Sequence, residues 1–141
     1  MIGEMHRTMS APFFAIYVDA DAKNSSMNIA GWYQAGMNMG DRDYYVSDDE
    51  NSRKIRDSYT NYIKTLFTLS GYTQEAAEQA AATVLKVETA IAKAAFTREE
   101  LRDPQAGYNV MTVADLKKQY DGLDWDVYFK TVGLDLSLIH I

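Results

Sequence analysis

The chain has no cysteine among its 141 residues. That excludes a disulfide framework and any thiolate zinc site, while leaving the compartment open. Histidine is almost as scarce, with His6 and His140 the two examples. They cannot form an H-E-x-x-H helix, which sets two imidazoles on one helical face with a glutamate as base. Cations are outnumbered, 14 Lys and Arg against 20 Asp and Glu, for a formal charge of −6. Nucleic acids and anionic membrane surfaces both call for clustered Lys and Arg, so neither suits this chain. No run approaches the roughly 18 apolar residues of a membrane-spanning helix. The opening "MIGEMHRTMSAPFF" has no apolar stretch behind a basic flank and does not read as a signal peptide.

What is present suits a folded domain, or one piece of a larger one. A content of 47% hydrophobic and 24% charged residues is ordinary for a soluble chain, and this length can bury about two-thirds of its unfolded surface. Residues 1–8 read as the last turns of a helix whose start is missing. "PFFAIYVDA", the turn cluster "DADAKNSS" and "MNIAGWYQAGM" predict a β hairpin over about residues 12–37. "SDDE" then opens a long helix. Ser47 and Glu50 fit a capping box, and Ile55, Tyr59, Tyr62, Ile63, Leu66 and Phe67 share an inward stripe. Gly71 stops it. A second helix runs from Thr73 to about Phe96, with Ala77, Ala80, Val84, Val87, Ile91 and Ala95 expected inward. Thr97 and Glu100 can cap a further turn that Pro104 ends. Thr112 and Asp124 cap two short helices. The fold class expected is mainly α with one β hairpin near the N-terminus.

Each candidate for chemistry has a plainer reading. His6 is most simply a packing or surface histidine. "DADAKN" (Asp19 to Asn24) alternates carboxylates as calcium loops do, but Lys23 and Asn24 stand where a third oxygen ligand and a glycine belong. A solvated hairpin turn suits it better. Asn24-Ser25-Ser26 matches the glycosylation pattern, a short motif common by chance. "GMNMG" lacks the lysine of a phosphate loop. Asp41, Arg42 and Asp43 form a charge cluster before Tyr44 and Tyr45. General acid–base work needs a carboxyl with a raised pKa in a cleft, whereas a planar guanidinium can bridge carboxylates or carbonyls as a brace. Catalytic, cofactor-binding and metal-binding residues are therefore all expected to be absent.

Residues 136–141, "LSLIHI", follow the stop expected at Gly133. They match one reading frame of a transposase adapter used in shotgun sequencing. The expectation is a translated adapter, with a genuine C-terminal strand as the alternative; the terminal codons decide between them.

Four ordered motifs carry a family resemblance: "DAKNS" (Asp21 to Ser25), "RDYY" (Arg42 to Tyr45), "RDP" (Arg102 to Pro104) and "YNVMT" (Tyr108 to Thr112), followed by Trp125. Together, over about residues 5–133, the chain resembles the N-terminal region of the neprilysin-like zinc metallopeptidases, the family of neprilysin, endothelin-converting enzyme and bacterial endopeptidase O. It departs from them just before "RDYY", where the family commonly has Leu-Pro and this chain has Met39, Gly40 and Asp41. The resemblance implies that residues 1–135 belong to a helical cap domain truncated at both ends. The full protein would be an exported bacterial zinc endopeptidase cleaving peptides in a closed chamber. Its zinc and H-E-x-x-H motif would lie in a C-terminal half outside these residues, so the fragment alone would bind no cofactor and be inactive. A different expectation is a stand-alone acidic helical binding module. Such a module would fold cooperatively with no large exposed apolar patch, whereas a fragment would leave apolar helix faces open.

Overall fold

The computed structural model describes residues 1–8 and 10–134, and the backbone alone of 138–140. Two compact units emerge: one from Met1–Ala35 with Phe96–Ile141, the other from Gly36–Ala95.

The first unit is built on the predicted hairpin. β1 (Phe14–Asp21) and β2 (Asn24–Gln34) pair antiparallel from Phe14↔Gln34 to Ala20↔Asn28, and the register shifts at Ala20/Asp21 to let the chain turn. Gly31 lies under the Tyr17 ring, where an added Cβ would come within 2.2 Å of Tyr17 Cζ. The sheet also contains two short strands, of which the sequence offered the C-terminal one only as an alternative. β3 (Val110–Thr112), which ends at the expected helix cap Thr112, pairs antiparallel with β4 (Leu138–His140), and β4 pairs parallel with β2. Of the tail expected to be adapter-encoded, residues 136, 137 and 141 lie outside the described residues.

The helices of this unit are α1 (Ile2–Arg7), α5 (Val113–Gln119) and α6 (Trp125–Val132), with a 3-10 turn at Glu100–Arg102. The expected caps are in place: Thr112 accepts from Asp115 N–H and Asp124 from Val127 N–H. Both halves of the Thr97–Glu100 box form, the Thr97 N–H on Glu100 at 2.7 Å and the Glu100 N–H on Thr97 at 3.2 Å. Gly3 brings α1 against α6, where a Cβ would sit 2.9 Å from Thr131. Leu116, Trp125, Tyr128 and Phe129 form the buried core, with Phe14, Ile16 and Trp32 of the sheet packed on it.

The second unit contains α2 (Asp43–Val46), α3 (Glu50–Leu69) and α4 (Gln74–Ala94). Thr73 caps α4 as expected, accepting from Ala76 N–H, and Gly71 takes a positive φ of 92° beyond the end of α3. The inward faces differ from the expected stripes. On α3, Ile63 and Ser52 are buried while Tyr62 and Leu66 are exposed. On α4, Ala77, Ala81, Glu88 and Ala92 are buried while Val87 is exposed. Small alanines let the two backbones approach, so the closest seam follows them rather than the valines.

The α3 cap is also displaced. Asp49, not Ser47, caps the helix, accepting from the Ser52 N–H at 2.9 Å and from the hydroxyls of Ser47 and Ser52 at 2.6 Å each. A carboxylate can take all three donors at once, which a serine hydroxyl cannot. Those bonds, the Ser47 hydroxyl foremost, hold the Asp49 carboxyl well below its ordinary 3.8. A lowered folded-state pKa means the cap contributes above pH 3.8 and is lost as pH falls through the folded value. Asp49→Ala should therefore lower the thermal midpoint near pH 7. The gap to the parent should narrow steadily below pH 4, which circular dichroism melts from pH 7 down to pH 2 would record.

Candidate functional site

The most highly built polar constellation lies inside the second unit. It centres on Glu88, a residue that sequence periodicity did not single out. Glu88 is only 5% exposed and stands at an inward position of α4. Its Oε2 accepts from the Tyr45 hydroxyl at 2.6 Å, and its Oε1 from Tyr59 at 3.0 Å and from the Asn38 amide at 2.5 Å. The Tyr45 hydroxyl in turn accepts the Met39 N–H at 2.9 Å. One carboxylate thus ties α4 to α2, to α3 and to the loop before α2.

These bonds determine what the group can do. A carboxylate whose two oxygens already accept from three protein donors has its lone pairs committed to neighbouring elements. Burial first, then the bond to Glu88, pushes the Tyr59 hydroxyl up to about 12. The same causes lift Tyr45 further. A phenol held neutral so far above neutral pH serves neither as base nor as nucleophile. The geometry is that of a brace.

The charged run before it has the same character. Arg42 donates from Nε to the Ala95 carbonyl at 3.2 Å, just past the end of α4, and pairs through Nη1 with Asp43 at 3.3 Å. Asp41 accepts the Asp43 N–H at 2.8 Å. Sequence reasoning missed Arg56, whose Nη1 donates to the carbonyls of Tyr44 and Ser47 at 2.7 Å each. Gly40, in the departure from the family pattern, has a φ of +81° and ends a turn on the Met37 carbonyl.

In the first unit, two of the separated motifs meet. Asp21 of "DAKNS" accepts from the Tyr108 hydroxyl of "YNVMT" at 2.8 Å and from the Lys23 N–H at 2.9 Å, and the Lys23 ammonium sits 4.0 Å over the Tyr108 ring. Asp21 is thus a buried tie rather than a solvated turn residue. Asn24 accepts the Ser26 hydroxyl at 2.7 Å.

His6 lies against the rings of Phe14 and Tyr128, with Nδ1 2.7 Å from the Tyr128 hydroxyl. Its Nε2 and the Trp32 Nε1 are buried without hydrogen-bond partners. Burial lifts the Tyr128 hydroxyl to about 12; the nearby Trp32 N–H opposes that rise without reaching hydrogen-bond geometry. The side chain of His140 is outside the described residues. Zinc requires three or four converging N, O or S ligands. Among the described residues no group of three or more His, Cys, Asp or Glu converges in that way. No helix among them is long and apolar enough to cross a membrane.

The neutral tyrosines give a direct test. A hydroxyl whose pKa is raised on folding stabilises the fold below pH 10, and that contribution is lost as pH rises through the folded value. Of ten tyrosines, Tyr45, Tyr59 and Tyr128 should stay protonated to about pH 12 or beyond. Their phenolate absorbance should appear together with loss of helical circular dichroism. Ionisation of all ten near pH 10 with the helices intact would contradict these bonds.

Beside the brace is a shallow, open depression of about 430 Å³ lined by Met39, Lys54, Ile55, Ser58, Tyr59 and Tyr62. Its lining residues include no carboxylate or imidazole.

Comparison with known proteins places this chain in a family. The N-terminal model of Peptidase family M13 matches residues 1–139. Endothelin-converting enzyme 1 of Cavia porcellus is 35% identical over 124 residues, 87% of this chain and 16% of that protein. The Homo sapiens enzyme is 34% identical over the same lengths. Mycobacterium tuberculosis zinc metalloprotease Zmp1, solved with an inhibitor, superposes with a TM-score of 0.91 at 26% identity, covering 99% of this chain and 22% of Zmp1. The chain therefore spans a small part of the relatives it matches. On the strength of the match along nearly its whole length, this chain belongs to peptidase family M13, within that family's N-terminal region.

Proposed function

We propose that the chain is a section of the non-catalytic cap domain of a zinc-dependent metalloendopeptidase, and that this domain limits which peptides reach the catalytic half. The match of residues 1–139 to the M13 N-terminal model carries the reading. The ties described above support it, since Glu88, Arg42, Arg56 and Asp21 each spend their polar groups on holding elements together. In this reading residues 1–135 form part of the cap and residues 136–141 are translated adapter. Zinc, the catalytic carboxylate and the peptide-binding cleft are supplied by polypeptide outside this chain, and no residue here takes a catalytic or metal-binding role. Export follows from the same family reading.

Extending the gene in both directions tests this. The expected outcome is a downstream H-E-x-x-H motif. The purified full-length protein should cleave an internally quenched peptide, lose activity to a chelator and regain it with zinc. The 141-residue chain with added zinc should be inert. Zinc-dependent hydrolysis by the short chain, or a gene with no peptidase sequence beyond it, would overturn the reading.

A further inference from the structure

The α3 helix has a wider apolar face than α4 covers. Ile63 and Ser52 are buried. Alongside them runs a second seam, Ile55, Tyr59, Tyr62, Leu66 and Leu69, at alternating spacings of four and three residues. That spacing over two heptads is the signature of a helix packed on another helix. Ile55 and Tyr59 are half-buried, the Tyr59 hydroxyl reaching Glu88 of α4, yet Tyr62 is 58% exposed, Leu66 44% and Leu69 80%. The opposite arc carries Arg53, Asp57, Asn61 and Thr68, all exposed, so solvent already has its own face of α3. The Tyr59 and Tyr62 rings are stacked at 6.5 Å, and the shallow depression opens beside them between Met39 and Ile55.

We propose that this ridge is an intramolecular docking face, covered by an amphipathic helix from the part of the same polypeptide that lies outside this chain. The inference rests on the cap-domain reading above. The occupant is assigned in cis because matched relatives devote only 16% and 22% of their length to the corresponding segment, leaving most of the polypeptide to supply it. A seam with regular heptad spacing fits a permanent helical neighbour, and a large apolar side chain of that helix would enter the depression beside Tyr59.

A benzophenone-bearing phenylalanine in place of Tyr62 in the full-length protein, irradiated and mapped by mass spectrometry, tests the assignment. The expected product is a monomer cross-linked to a peptide outside residues 1–134. A cross-linked dimer would assign the ridge to a second copy, and a cross-link to another protein would assign it elsewhere; either overturns the proposal, as does absence of any cross-link. Zinc-dependent peptide cleavage by the same sample separates the two readings. Activity without the internal cross-link would refute the docking face alone, whereas a full-length protein with no such activity would refute the cap-domain reading. In the 141-residue chain, Leu66→Glu with Leu69→Glu should reduce light scattering and leave the helical unfolding midpoint in place. A fall in that midpoint would show the ridge to be internal core and also sink the proposal.

Discussion

Glu88→Ala is expected to unfold α3 and α4 at urea concentrations where the parent chain keeps them helical, with a loss of about 3–4 kcal/mol. The size follows from what is left behind. Removing the carboxylate strands the hydroxyls of Tyr45 and Tyr59 and the Asn38 amide together in one buried place. Hydrogen bonds to a charged group contribute about 1.5–3 kcal/mol each, and they do not add fully when one acceptor serves several donors. Glu88→Gln keeps the shape but turns an NH2 toward a Tyr45 hydroxyl that already accepts from Met39. It should cost about 2 kcal/mol, as should Tyr45→Phe. The double mutant should then lose less than the sum, because both changes break the same bond. Far-ultraviolet circular dichroism follows α3 and α4. Fluorescence of Trp32 and Trp125 follows the other unit. A Glu88→Ala helix transition within about 1 kcal/mol of the parent would mean the bonds hold nothing.

The contrast between Glu88 and Thr73 shows what the sequence could disclose. Caps are local: Thr73, Thr97, Thr112 and Asp124 each bond within three residues, so a reader of the chain can find them. The hairpin was legible for the same reason, its strands separated by a turn cluster. At Asp49 locality did not suffice, because "SDDE" offers several cap candidates and only the three-donor geometry chooses among them. Glu88 was hidden because periodicity places charges outward, and its partners lie 29, 43 and 50 residues away. The Asp21–Tyr108 bond spans 87 residues. β3 stayed hidden because three residues carry no period, and a strand that short is defined by its partner. Family membership was legible through ordered motifs, but the contacts those motifs make became visible only in the fold, where "DAKNS" meets "YNVMT" and "RDYY" meets α4.

Trp125→Ala is expected to have the largest effect in the first unit, about 3–5 kcal/mol, the usual range for emptying a tryptophan site in a packed core. Trp125 is 8% exposed and touches four aromatic neighbours, with ring centroids 6.2 Å from Phe14, 6.4 Å from Trp32, 5.6 Å from Tyr128 and 5.8 Å from Phe129. Its indole N–H also donates to the Tyr120 carbonyl at 2.6 Å, closing the turn between α5 and α6. Rigid rings from two strands and a helix cannot all shift inward to fill the void, so collapse would recover little of the loss. Trp125→Phe separates the two contributions. It retains an aromatic body but frees the Tyr120 carbonyl, and should cost about 2 kcal/mol. Urea unfolding followed by Trp32 fluorescence reads both variants, since that probe survives in each. The ring packing is the larger effect if the alanine variant is clearly the weaker of the two. Equal losses would instead make the single hydrogen bond responsible, and the aromatic cluster would have to be regarded as replaceable filling.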